Sequence, residues 1–190
     1  QYTVRAVACD HESSEDEVYE ALVRATEPLT EAWTRLAAAQ RIGIKINHDK
    51  PVDRWVFHKG MLQQLVCDKV VRATLRLLRE RTTAHIVCTD VSFYDMYQGT
   101  DPHESATALP ALRDYDVEYV VGSQASTRVV DVPGGGQMFA RYVLPEPALD
   151  VDEFISLAKM KNHAFMGITL SLKNLFGLMP GEPNGHTRTY

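Results

Sequence analysis

The chain has 190 residues, of which 45% are hydrophobic and 24% are charged. This composition can support a hydrophobic core, which excludes an intrinsically disordered chain. The formal net charge of -5 argues against general binding to nucleic acids or membrane surfaces, so neither is expected as a partner.

Strand-like and helix-like patterns alternate through the first half of the chain. Residues 3–8 have a strand-like pattern, and Ser14 with Glu17 three residues later predicts a helix capping box. Arg41–Ile46 carries isoleucine at alternate positions, which indicates a second strand. Residues 61–80 show the longest run of helical apolar spacing, which predicts a long helix.

The alternation continues in the second half. Short apolar runs at 85–88, 118–121 and 152–157 predict strands, and a helix is expected near 106–113. A loop rich in Tyr, Gly and Pro is expected after Asp90. These patterns predict an α/β fold, with a mainly parallel sheet flanked by helices and a β-hairpin insertion near residues 127–144. We expect residues 1–190 to form a single α/β domain.

The segment 159–163 brings two chemically useful side chains onto one side of the backbone. Lys161 and His163 lie two residues apart after the apolar strand pattern of 152–157, so an extended chain points both the same way. Lysine offers a positive charge for a phosphate or carboxylate, and histidine can exchange a proton near neutral pH. Lys161 and His163 are therefore the catalytic candidates, although a solvated turn without a ligand is the alternative.

A helix-like run at 168–176 follows this segment. Thr169 has the residue type of a cap or first-turn position, and Lys173 lies four residues later on the same helical face. The N-terminus of a helix that follows positive charge is a place where an anion can bind. Thr169, Lys173 and Asn174 are therefore ligand-binding candidates.

Polar residues also follow the earlier strands. Asn47-His48-Asp49 and Thr89-Asp90 each come after an apolar strand pattern. Ligands of open α/β sheets bind beyond the carboxyl ends of the strands, so these tails are expected to meet residues 159–163 at one edge. Lys45 and Asn47 join the ligand-binding candidates. The alternatives are that Lys45 lies on an exposed strand edge and that Asn47 caps a turn.

Neither a metal nor an iron–sulfur cluster is assigned from the residues. The three cysteines include no C-x-x-C pair, which excludes a four-cysteine zinc or iron–sulfur site within this chain. The candidate metal ligands share no spacing with a known ligand pattern. These candidates are His48, Asp49, His58, Asp90 and His163.

A reducing compartment suits the cysteine usage, and no apolar run approaches the roughly 20 residues that cross a bilayer. We therefore expect a cytoplasmic protein without a membrane partner. The chain begins at Gln1 instead of Met, so a removed export leader stays open as an alternative.

The late motif resembles a large prokaryotic family known as domain of unknown function number three hundred and sixty-two. That family has a strand, Lys-x-His, Gly-x-Thr and then Lys-Asn-Leu-Phe-Gly, which correspond to residues 154–177 here. Its early strand ends in Lys-x-Asn, which is similar to Lys45 and Asn47. The resemblance implies the signature positions Lys161, His163, Thr169, Lys173 and Asn174, whose roles in the family are not established.

The resemblance also implies a partner and a longer domain. Family members are often iron–sulfur proteins with ferredoxin-like cysteine motifs, which this chain lacks, so its cofactor stays unknown. The family domain usually continues beyond Lys-Asn-Leu-Phe-Gly, so the chain is expected to be the N-terminal part of a longer domain.

Three hypotheses follow for the function. The first is an enzyme or enzyme domain that binds a small phosphate- or carboxylate-bearing ligand. The alternative is a redox or maturation accessory that works with a ferredoxin-like iron–sulfur partner and has no catalysis of its own. A ligand-binding module without catalysis is the third.

Overall fold

The structure is a computed structural model that describes residues 3–91, 101–164 and 166–180. Its helices are α1 (Glu15–Thr26), α2 (Thr30–Ala38), α3 (Asp68–Arg81), α4 (Pro102–Ser105), α5 (Leu109–Asp114), α6 (Glu146–Leu149) and α7 (Ser171–Asn174). Its strands are β1 (Arg41–Ile46), β2 (Phe57–His58), β3 (Met61–Leu62), β4 (His85–Asp90), β5 (Glu118–Val121), β6 (Thr127–Asp131), β7 (Arg141–Pro145), β8 (Glu153–Leu157), β9 (Lys161–His163) and β10 (Gly167–Thr169). A 3-10 turn, Leu175–Leu178, continues directly from α7.

The central sheet is parallel and has the strand order β5-β4-β1-β8. The chain runs from β1 outwards through β4 to β5, and then returns to place β8 on the other side of β1. In open parallel sheets, ligands bind beyond the carboxyl ends of the strands, at the point where the strand order reverses. That point lies between the ends of β1 and β8, and we call it the β1–β8 crevice.

The alternation in β1 separates two different environments. Ile42, Ile44 and Ile46 are fully buried in the main core cluster, which also contains side chains of α3 and α5. Gly43 and Lys45 point to the opposite face, because successive side chains of a strand alternate. At Gly43 a β-carbon would lie 2.6 Å from the ring of Phe154 in β8, so the close approach of this ring requires glycine. Helices α3 and α5 therefore cover one face of the sheet, and Lys45 lies on the other.

The predicted fold class is confirmed. The four parallel strands alternate with helices, and β6 and β7 form the antiparallel hairpin expected near residues 127–144. The capping box is also present, with Ser14 accepting from the Glu17 backbone N–H and Glu17 accepting from that of Ser14. Within the three described ranges, no helix combines the length and the apolar character needed to cross a bilayer.

Two elements predicted for the first half of the chain are wrong. Residues 3–8 form no strand and are mostly exposed, since no strand of the sheet pairs with them. The helix predicted at 61–80 begins only at Asp68, because β3 pairs with β2 across the turn Lys59-Gly60. These two turn residues have φ values of 49° and 75°, the left-handed conformation of a tight hairpin turn. The loop expected after Asp90 falls on residues 92–100, outside the described ranges.

Candidate functional site

Lys45 forms a buried ion pair at the carboxyl end of β1. Its Nζ lies 2.7 Å from Oδ2 of Asp90, and the two side chains are 2% and 0% exposed. The ammonium group also donates to the backbone oxygen of Ile46 at 2.9 Å. The alternative of an exposed strand edge for Lys45 is therefore wrong. Because the charge of Lys45 is balanced by a carboxylate, this lysine holds the ends of β1 and β4 together.

Asn174 reaches the same place from the far end of the chain. Its Nδ2 donates to the backbone oxygen of Lys45 and to Oγ of Ser156, each at 3.0 Å. Its Oδ1 accepts from Nζ of Lys45 at 3.3 Å. Asn174 is only 5% exposed, so its amide joins β1 to β8 and is not presented to solvent.

Gly177 covers the ion pair directly. A β-carbon at this position would lie 2.8 Å from Cε of Lys45 and 3.0 Å from Oδ1 of Asp90. The backbone oxygen of Gly177 accepts from the N–H of Val91, which follows β4. Residues 171–178, which we call the covering segment, therefore seal the carboxyl ends of β1 and β4 with the Lys-Asn-Leu-Phe-Gly motif.

The helix predicted at 168–176 is wrong in its first part. Gly167–Thr169 forms β10 and pairs antiparallel with β9, so Thr169 faces Lys161 across a two-stranded ribbon. The helix itself spans only Ser171–Asn174, and its cap residue Leu170 offers no side-chain hydrogen bond. Thr169 is thus a strand residue, and a helix of one turn does not supply the expected N-terminal anion site.

Lys161 lies in β9 of this ribbon, and its side chain is only partly exposed. Its Nζ donates to the backbone oxygen of Gln64, in the segment that leads from β3 to α3. Burial, together with repulsion from neighbouring lysines, lowers the pKa of Lys161 to about 8. These lysines are, in order of effect, Lys50, Lys173, Lys45 and Lys159.

Positive charge therefore accumulates at the β1–β8 crevice, in a group that we call the lysine cluster (Lys50, Lys159, Lys161 and Lys173). Within the described part of the chain, no carboxylate forms an ion pair with Lys50, Lys159 or Lys161. The ammonium of Lys173 lies 4.6 Å from the centre of the Phe176 ring. Like charges that are held close together favour a bound anion.

His163 is next to the lysine cluster on the same face of β9. Burial lowers its pKa, and so do the charges of Lys173 and Lys161, so the imidazole is neutral at pH 7. Its Nδ1 accepts from the backbone N–H of Met166 at 3.2 Å. A nitrogen that accepts this bond carries no proton, so the neutral ring carries its proton on Nε2. In this arrangement His163 is a hydrogen-bond donor.

Two buried oxygens near the ribbon have no hydrogen-bond partner among the described residues. These are Oδ1 of Asn47, directly after β1, and Oγ1 of Thr169, which is 5% exposed. The backbone oxygen of Asn47 accepts from Val66, two residues from the Gln64 that holds Lys161. Both oxygens thus belong to the surroundings of Lys161. Buried polar atoms normally have partners, so a ligand or water is expected here.

A neutral histidine lies beneath the Lys45–Asp90 pair. His48 is fully buried, and burial, with the charge of Lys45, lowers its pKa to about 4 despite the opposing effect of Asp90. Its Nε2 lies 4.0 Å from Sγ of Cys88. Across residues 3–91, 101–164 and 166–180, no three His, Cys, Asp or Glu side chains form a group that could hold a metal ion.

The structure therefore divides the sequence candidates into two sets. Lys161, His163, Thr169 and Lys173 lie together around the ribbon with Asn47, whereas Lys45 and Asn174 form the buried support beneath them. Sequence reasoning missed the ion-pair role of Asp90 and the contribution of Lys50. It also missed Gly177, although its place in the Lys-Asn-Leu-Phe-Gly motif was a signal.

Comparisons with known proteins give one strong match. The family model described as Domain of unknown function (DUF362) matches residues 43–189. The Thylakoid-associated protein sll1697 of a Synechocystis strain is 37% identical over 59 residues, which cover 28% of this chain. The chain spans 18% of the length of that relative. No solved structure matches.

Proposed function

The chain belongs to the DUF362 family, and we propose that its β1–β8 crevice binds a small anionic ligand as an enzyme or enzyme domain. The ligand carries a phosphate or carboxylate group that the lysine cluster binds. The observation that carries this proposal is Lys161, a partly buried lysine among other lysines with no described acidic partner.

The energetics of Lys161 favour a ligand over a purely structural role. Burial and like charge both destabilise its ammonium form, and its hydrogen bond to the Gln64 backbone oxygen offsets them only in part. A bound anion reverses both effects, because it supplies the opposite charge and a charge-assisted hydrogen bond. The Lys45–Asp90 pair beneath has no net charge, so it positions the crevice without competing for the anion.

The neighbouring polar groups complete the site. His163, with its proton on Nε2, donates a hydrogen bond to the anion. The hydroxyl of Thr169 donates to a ligand oxygen, and Oδ1 of Asn47 accepts from a ligand hydroxyl or amine. The crevice therefore suits a ligand that bears an anionic group beside a hydrogen-bond donor.

Replacing Lys161 with glutamine is expected to weaken sulfate binding about tenfold to hundredfold, since a hydrogen bond to a charged group contributes about 1.5–3 kcal/mol. Isothermal titration calorimetry with sulfate at low ionic strength measures this effect. Lys59→Gln is the matched control, because Lys59 is an exposed lysine in the β2–β3 turn. Equal affinities in Lys161→Gln and the parent protein would overturn the proposal.

The same binding is expected to depend on pH through Lys161. Its ammonium form is present below a pKa of about 8 and is lost above it, so sulfate affinity should fall as the pH rises from about 7 to about 10. Sulfate keeps its charge in this window, and His163 is already neutral. Titrations across the range should give a falling profile in the parent protein and a flatter one in Lys161→Gln. A flat parent profile would exclude Lys161 as the titrating group.

The accessory hypothesis predicts a different result. A protein that binds neither sulfate nor phosphate, but copurifies anaerobically with a brown iron–sulfur chromophore, would favour that alternative.

A further inference from the structure

A groove of about 710 Å³ lies between the N-terminal part of the chain and residues 57–71. Its walls are formed by residues 7–13, the apolar face of α1, the β2–β3 hairpin and the first turn of α3. This volume falls within the range of about 300–1,000 Å³ that is typical of small-molecule sites. The groove is therefore large enough for an organic molecule of moderate size.

The groove is mainly apolar, and its charged lining residues are Lys159, Lys69, Asp10 and Asp68. Leu22 of α1, Met61 and Leu62 of β3 and Val71 of α3 are among its lining residues, and so is Lys159. Lys159 is also one of the lysines that act on Lys161. One lysine thus belongs both to the groove and to the lysine cluster.

The groove and the crevice also share a wall. Met61 and Leu62 face the groove, and Gln64, two residues later, holds the ammonium of Lys161 through its backbone oxygen. The segment from β3 to α3 therefore borders both the groove and the lysine cluster. Apolar walls that lead to a group of lysines are complementary to a molecule with an apolar body and an anionic end.

We propose that the ligand is an amphipathic anion, with its phosphate or carboxylate at the lysine cluster and a hydrocarbon or aromatic tail in the groove. This inference rests on the proposed function and adds the class of ligand to it. A tail in the groove removes apolar surface from water, so affinity rises with tail length until the groove is filled.

A series of alkyl phosphates tests the inference. Inorganic phosphate and ethyl, butyl and octyl phosphate are titrated by calorimetry below the concentrations at which they form micelles. Affinity is expected to increase about fourfold for each methylene group that becomes buried. Octanol, which has the tail without the anion, is expected to bind far more weakly than octyl phosphate.

Phe57→Asp provides a variant in the wall of the groove. Phe57 is 56% exposed, so its replacement leaves the core intact, and the new carboxylate disfavours an apolar tail. We expect Phe57→Asp to weaken octyl phosphate at least tenfold and inorganic phosphate only slightly. Val129→Asp is the matched control, since Val129 is 59% exposed in β6 and gives the same change of net charge.

The native cysteines supply a second, independent measurement. Cys9 and Cys67 are exposed and line the groove, whereas Cys88 is buried. Octyl phosphate is expected to slow alkylation of Cys9 and Cys67 by iodoacetamide at least fivefold. Inorganic phosphate, which does not enter the groove, is expected to leave both rates unchanged.

The outcomes separate this inference from the proposed function. Equal affinities for phosphate and octyl phosphate, with no protection of the thiols, would overturn the amphipathic ligand and leave an anion site. Equal affinities for octanol and octyl phosphate would overturn both, because the lysine cluster would then contribute nothing. Chain-length dependence that Lys161→Gln and Phe57→Asp each weaken supports both.

Discussion

Replacing Asp90 with alanine is expected to lower the free energy of unfolding by about 3–5 kcal/mol, because it leaves the Lys45 ammonium buried without a counter-charge. Lys45 has a side-chain exposure of 2%, so water cannot replace the lost carboxylate. Typical domains are stable by about 5–15 kcal/mol, and the variant therefore loses a large part of its stability. Urea unfolding followed by circular dichroism measures the change.

Two further variants make this result specific to the buried pair. Asp114→Ala removes a carboxylate that pairs with Arg72 while 58% exposed, and we expect a loss of at most about 1 kcal/mol. The double replacement Lys45→Met with Asp90→Leu removes both charges, and it should recover most of the stability that Asp90→Ala loses. If the double variant is no more stable than Asp90→Ala, the unpaired lysine is not the cause.

Asn174→Ala is expected to lower the free energy of unfolding by about 2–3 kcal/mol. The change deprives the Lys45 backbone oxygen of a donor and its ammonium of an acceptor, both in a buried place. Buried groups left without a hydrogen-bond partner cost about 1–3 kcal/mol, and more when they are charged. Because Asn174 joins β1 to β8, hydrogen exchange at the ends of both strands should also become faster.

Asn162→Ala is the matched control for this prediction. Asn162 lies in β9 and is exposed, so its replacement should change stability by less than about 0.5 kcal/mol. An equal loss in both variants would contradict the assigned role of Asn174, since it would then reflect a general effect of the substitution.

Strands with a clear local pattern could be predicted from the sequence, and those that depend on distant contacts could not. The isoleucine alternation gave Arg41–Ile46 with its correct bounds, because every second position faces the core. Residues 3–8 carry a similar pattern but pair with no strand of the described sheet, so they form no strand. At 61–67, the turn Lys59-Gly60 overrides the helical spacing with a β-hairpin.

The location of the candidate site could be predicted from the sequence, but the roles of its residues could not. Parallel strands bring their carboxyl ends to one edge, so the polar tails could be placed together from the sequence. The role of Lys45 could not be predicted, because the groups that bury it come from Asp90 and from the covering segment. Whether Asn174 faces a ligand or the backbone also depends on that distant packing.

The position of β8 beside β1 has a consequence for the order of folding. The pairing of Ile42 with Glu153 closes a loop of more than a hundred residues, whereas β1, β4 and β5 are joined through shorter connections. Long loops cost more entropy to close, and contacts between distant residues form slowly. During synthesis the isoleucine core can therefore collapse first. The crevice is formed only when the last sheet strand has been made and has docked.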